Sequence, residues 1–175
     1  APAGDERKPR DLSSGGTCED AETIVISTDD AAPVIEGDCR LVTITGDRVQ
    51  GNIERAESVT IGGTDSMILG SEWGTAVIMG AGSGINVDEI RELSIEADGA
   101  SVTNRRTERL FVAGSRATVN TEGVDELVVG GDGSTFVVSG RIGALEVAGD
   151  DNAFNWSAGV DAPSTDTGSG NTYTR

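Results

Sequence analysis

The chain has 175 residues, of which 30 are acidic and 13 basic, for a formal net charge of -17. That balance repels phosphate and argues against nucleic acid or anionic lipid as a partner. The absence of histidine removes Ser-His-Asp triads, Cys-His nucleophiles and imidazole zinc sites together, and no catalytic constellation is recognisable in what remains.

The first segment, residues 1–16, is charged and rich in Pro, Asp, Glu, Arg and Lys, and reads as a flexible tether. Ala1-Pro2-Ala3-Gly4 reads as the start of a processed or trimmed chain. Residues 17–40 carry a blurred form of the pattern that follows, as an irregular N-terminal cap requires. Cys18 and Cys39 are the only cysteines, and an even count favours a disulfide that staples the cap to the first regular coil. Such a bridge implies an oxidising, extracytoplasmic setting, secreted or in the cell envelope. No run of 18 apolar residues is present, so no membrane-spanning segment is expected.

From residue 41 to 158 the chain repeats itself. Leu41-Val42-Thr43-Ile44-Thr45-Gly46 returns as Ser58-Val59-Thr60-Ile61-Gly62-Gly63, and so on to Ala144-Leu145-Glu146-Val147-Ala148-Gly149. The anchors Ile44, Ile61, Ile78, Ile95, Val112, Val129 and Val147 are 17 residues apart five times and 18 once. A fixed period of this length marks a solenoid in which each repeat is one turn. Apolar residues at alternate positions read as strands, and Gly at nearly every corner opposes helix. The expectation is a single-domain all-β parallel β-helix (β-solenoid) spanning 17–175, with about seven regular coils of 17 residues between irregular caps. Stacking at this period places Arg55 beside Glu72, Glu89 beside Arg106, Arg91 beside Glu108, and Glu92-Arg109-Glu126 in one column.

Residues 159–175 read as a loop and C-terminal cap. Asn152 and Phe154 align with Asn171 and Tyr173, 19 residues on, which predicts a last, loosely spaced coil. Asn155-Trp156, with Asp166-Thr167-Gly168-Ser169-Gly170-Asn171-Thr172 and the repeated apolar-x-apolar-x-Gly units, resembles a family catalogued as domain of unknown function 3060. That resemblance spans Cys18 to Arg175 and implies an actinobacterial protein, secreted or anchored in the envelope, with no activity to carry over. Val49-Gln50-Gly51-Asn52-Ile53 resembles the turns of bactofilins, which implies a polymer-forming scaffold.

Three features are candidates for function. Val77, Met79, Phe111 and Val128 place apolar groups on the outward side of the first strand, the mark of a self-association or partner-binding face. Asp132, Asp150 and Asp151 lie in Gly-rich turns reminiscent of calcium repeats, and calcium is the one candidate cofactor. Asn52, Asn86, Asn120 and Asn155 recur at alternate coils and read as turn or rung-surface hydrogen bonding, with glycan contact as the alternative. The expected function is a non-enzymatic structural or binding module whose partner is an envelope protein, a glycan or a second copy. The competing class is an enzyme acting on envelope polysaccharide, which would need two carboxylates in one cleft.

Overall fold

The computed structural model describes residues 8–175, and among these it contains strands and turns but no helix. The cause is the local sequence: β-branched residues at alternating positions, interrupted every coil by glycines and small polar residues. The N-terminal coil is built from β1 (Arg10–Asp11), β2 (Gly16–Thr17) and β3 (Thr23–Ile26). Seven long strands follow. They are β4 (Val34–Ile44), β5 (Gln50–Ile61), β6 (Met67–Ile78), β7 (Gly84–Ile95), β8 (Ser101–Val112), β9 (Thr118–Val129) and β10 (Thr135–Val147). The chain closes with β11 (Ala153–Gly159), β12 (Thr165–Asp166) and β13 (Thr172–Thr174).

Each long strand pairs in parallel with the next, and the ladder from β1 to β13 forms one continuous sheet wound into a β-solenoid of about ten turns. The register is the one the period dictates: Ile44 pairs with Ile61, Ile61 with Ile78, and Val112 with Val129. Rungs therefore repeat every ~4.8 Å along the axis.

A coil is three-sided. In β5 the buried residues are Gly51, Ile53, Ala56, Val59 and Ile61. Strict alternation fails at Glu54-Arg55 and again at Glu57-Ser58, and each doubled outward pair is a bend. A long side, a short side centred on Ala56, and a second long side result, closed by the turn at 62–66. All the inward positions meet in one core.

Glycines 46, 63, 80, 114, 131 and 149 do mark the closing turn, but not for their φ angles. A Cβ on Gly80 would stand 1.7 Å from the carbonyl oxygen of Gly63, so these residues permit the close approach of successive turns. The left-handed residue sits two positions later, at Arg48, Asp65, Gly82, Gly99, Arg116, Gly133 and Asp151.

The turn is satisfied by two hydrogen-bond ladders. On the inner one, Ser66 Oγ accepts from the Val49 amide at 3.0 Å and Ser83 Oγ from the Ser66 amide at 3.0 Å. Asn152 Oδ1 accepts from the Ser134 amide at 2.8 Å, and Asn171 Oδ1 from the Asn152 amide at 2.8 Å. Ser66, Ser83 and Asn152 are buried without penalty because each side chain accepts from an amide of the preceding turn.

The caps differ from expectation at one end. Arg10-Asp11 pairs with Ile24-Val25, and Leu12 is buried, so the solenoid begins before the expected boundary at residue 17. Residues 1–7 of the expected tether lie outside the described residues. Cys18 and Cys39 are bridged, with their Cα atoms 5.2 Å apart, tying the cap to β4. At the other end, Phe136, Phe154 and Tyr173 stack at centroid distances of 4.8 and 5.2 Å, continuing the core into the last coil.

Candidate functional site

The short side of the coil carries a concavity, a groove of about 750 Å³ running along the axis over β4 to β8. Its floor is Cys39, Ala56, Trp73 and Ile90, all buried inward residues of successive rungs. Charged side chains from the two bends form its walls. One wall stacks Asp38, Arg55, Glu72, Glu89 and Arg106. The other holds Glu57, Arg91 and Glu108, with Gly74 in the second rung.

Ion pairing along these walls departs from simple stacking. Arg55 turns back to Asp38 rather than forward to Glu72. Arg106 reaches Asp125 at 2.9 Å, and Glu89 is taken by Arg105 at 3.1 Å instead of by its rung neighbour Arg106. Among the expected contacts, Glu92 with Arg109 does form. Arg91 and Glu108 make no ion pair with each other, and Arg91 has no carboxylate within bonding distance among the described residues. Its guanidinium lies over Gly74, 3.5 Å from where a Cβ would stand. Among the described residues the groove thus offers Arg91 as an unpaired cation, with the carboxylates of Glu72 and of the Arg105-paired Glu89 on adjacent rungs.

The face expected from sequence is only partly assembled. Phe111 and Val128 are rung neighbours, with Phe111 39% exposed and Val128 half-buried. Val77 is half-buried and separated from Phe111 by Ser94. Met79 is 55% exposed but lies in the adjoining column. The C-terminal segment does not cover them. It extends the same side, with β12 pairing onto Glu146-Val147 of β10.

The acidic turn residues hold backbone instead of gathering. Asp132 Oδ1 accepts from the Asp150 amide at 2.7 Å, and Asp150 Oδ1 from the Ser169 amide at 2.7 Å. Asp151 occupies the left-handed position at φ 56°. Asp29, Asp47 and Asp98 repeat the same contact in other turns. This outer ladder explains why Asp recurs there: a short carboxylate reaches the next amide. Among the described residues no three acidic, cysteine or histidine side chains converge as metal ligands.

A different face was not singled out from the sequence. The long side preceding the groove presents two outward positions on each of β5 to β11, beginning with Gln50 and Asn52 and ending with Ala153 and Asn155, all exposed except the buried Gly84 and the half-buried Ala153. None of them is charged, on a chain whose net charge is -17. Met67, Leu69 and Val137 lie here at 40%, 44% and 42% exposure, and Val34 on β4 continues the row at 56%. The recurrent Asn52, Asn86, Asn120 and Asn155 all point outward on this face. The signal available in sequence was the lack of charge six and eight residues after each anchor.

No family model matches the chain, and neither a curated protein nor a solved structure matches it. No helix among the described residues is long and apolar enough to cross a membrane. The class the fold defines is a disulfide-stapled parallel β-solenoid.

Proposed function

We infer that this chain is a non-enzymatic, extracytoplasmic β-solenoid that binds an extended polar polymer of the cell envelope along its axial groove. The observation that carries this reading is the groove itself. It is long and shallow, floored by the backbone of inward-pointing residues, and walled by side chains of both signs, with Arg91 unpaired among the described residues. An extended chain carrying hydroxyls, amides and carboxylates, such as a peptide-bearing glycan, matches that pattern rung by rung. The Cys18–Cys39 bridge supports the compartment, since disulfides persist where the environment is oxidising. The resemblance to domain of unknown function 3060 points the same way.

The test is co-sedimentation with purified peptidoglycan. Wild type is expected to pellet with the polymer, and Arg91→Ala to weaken retention about tenfold, as loss of a charge-assisted contact does. No retention of the wild type would sink the reading.

One observation favours a second reading. Glu72 and Glu89 sit on adjacent rungs in the groove, and paired carboxylates hydrolyse glycosidic bonds when a sugar lies between them. Release of reducing ends that disappears in Glu72→Gln or Glu89→Gln would establish an enzyme in place of a binding module.

A further inference from the structure

We propose that the uncharged long side is a homodimer interface, on which a second copy of this chain packs face to face with its solenoid axis antiparallel. The proposal stands independently of the groove. Three observations carry it.

The first is charge. Two chains of net charge -17 repel wherever their acidic sides meet. The outward positions of β5 to β11 on this side are the extended surface where two copies can touch without opposing like charges. Depletion of charge at the centre of a patch, with a charged edge, is the anatomy of a protein interface. Charge returns only at the bend, with Glu54, Asp88, Arg105 and Glu122 on the partly or fully exposed margin, where antiparallel copies set Asp88 opposite Glu122 and Arg105 opposite its own copy, a repulsion that salt screens.

The second is self-complementarity. A two-fold axis lying in the contact plane and crossing the solenoid axes brings a column of one copy onto the same column of the other, in reversed order. Such an isologous contact requires that residue i meet j while j meets i. The column centred on Thr103 satisfies this. With the axis through Thr103, Asn86 meets Asn120, Leu69 meets Val137, and Asn52 meets Asn155. Amide thus faces amide in two of these pairs and apolar group faces apolar group in the third, while Thr103 meets its own copy and, at the ends, Val34 meets Thr174. In the neighbouring column Gly84 faces Thr118, so a missing side chain lies opposite a branched one.

The third is area. From Val34 to Thr174 the face spans eight rung intervals, about 38 Å, and two outward columns with their side chains cover about 12 Å in width. About 500 Å² per copy, or about 1,000 Å² in all, lies at the lower bound for a specific interface. An interface at that lower bound, opposed by net charge, is expected to be weak and to strengthen with salt.

The experiment is sedimentation velocity of the full chain from about 1 to about 200 μM. It is run at about 0.01 M and about 1 M salt, between which the screening length falls from about 30 to about 3 Å. The expected result is a monomer–dimer equilibrium tightened at least tenfold by salt, and abolished by Leu69→Asp with Val137→Asp at unchanged circular dichroism and melting temperature. Orientation is read from single cysteines in the oxidised protein: Thr103→Cys should crosslink to itself, and Asn52→Cys only to Asn155→Cys. A monomer under every condition overturns the proposal. So does a dimer that survives both aspartates, or one broken by Phe111→Asp instead. Self-crosslinking of Asn52→Cys would overturn the antiparallel packing, because those positions lie about 29 Å apart in it.

Discussion

The indole of Trp73 occupies the space that Gly70 leaves open. Its Nε1 donates to the Ile53 carbonyl at 3.0 Å, and a Cβ on Gly70 would stand 2.5 Å from that nitrogen. A residue three positions away thereby makes room for one of the two buried indoles of the core. Gly70→Ala should destabilise by about 1–3 kcal/mol through overpacking, and Trp73→Ala by about 3–5 kcal/mol through the cavity it opens. Urea denaturation of the two variants checks both, and a neutral Gly70→Ala would show that the indole has room to move.

Asn104 presents the opposite case. Its amide donates to the buried hydroxyl of Thr107, while its Oδ1 has no partner. The same inward position is Val87 one rung before and Val138 two rungs after. An unsatisfied buried acceptor costs about 1–3 kcal/mol, so Asn104→Val is expected to raise stability by about 1 kcal/mol after the Thr107 contact is lost. A lowered melting temperature would mean that the amide is held by an ordered water.

Reducing the Cys18–Cys39 bridge, or substituting Cys39→Ser, should release the N-terminal cap. Their sequence separation is 21, and a loop of that length contributes about 3 kcal/mol. Hydrogen exchange is expected to accelerate in β1 to β4 while β6 to β10 stay protected. Uniform acceleration across all coils would instead show that the cap is needed for the whole stack.

Acid should open both ends before the middle. Asp166 is held below the usual carboxylate range by the Tyr173 hydroxyl, then by Asn171 and the Gly168 amide. Asp11 is lowered by the hydroxyls of Ser13 and Ser27. Groups with depressed folded pKa values contribute stability that is complete above the unfolded value near 4, and lost as pH falls through the folded one. Between about pH 4 and pH 2 the Tyr173 signal should therefore change before the core signal of Trp73, and Asp166→Asn should remove that early step. Coincident transitions would refute the ordering.

Much of this was legible in the chain itself. The anchors from Ile44 to Val147 stack as their spacing requires, Cys18 finds Cys39, and Asn152 and Phe154 lie under Asn171 and Tyr173. Asp132 and Asp150 were visible as a repeat but misleading as ligands. Their period reflects carboxylates bonding to the amide of the next turn, and a repeating acceptor is indistinguishable in sequence from a repeating ligand.

What the sequence determined by itself is translation along the axis. Residues one period apart must stack, because a parallel ladder admits no other register without turning the core outward. What only the tertiary structure decided is arrangement around the axis. The doubled outward residues at Glu54-Arg55 and Glu57-Ser58 place the bends, and the bends decide which columns share a side. They put Trp73 and Arg91 in one groove, and they gather the uncharged positions from Gln50 to Asn155 onto a single flat face. Ion-pair choice was likewise tertiary: Arg55 and Arg106 each have carboxylates on more than one rung within reach, and side-chain length and direction select among them where the period cannot.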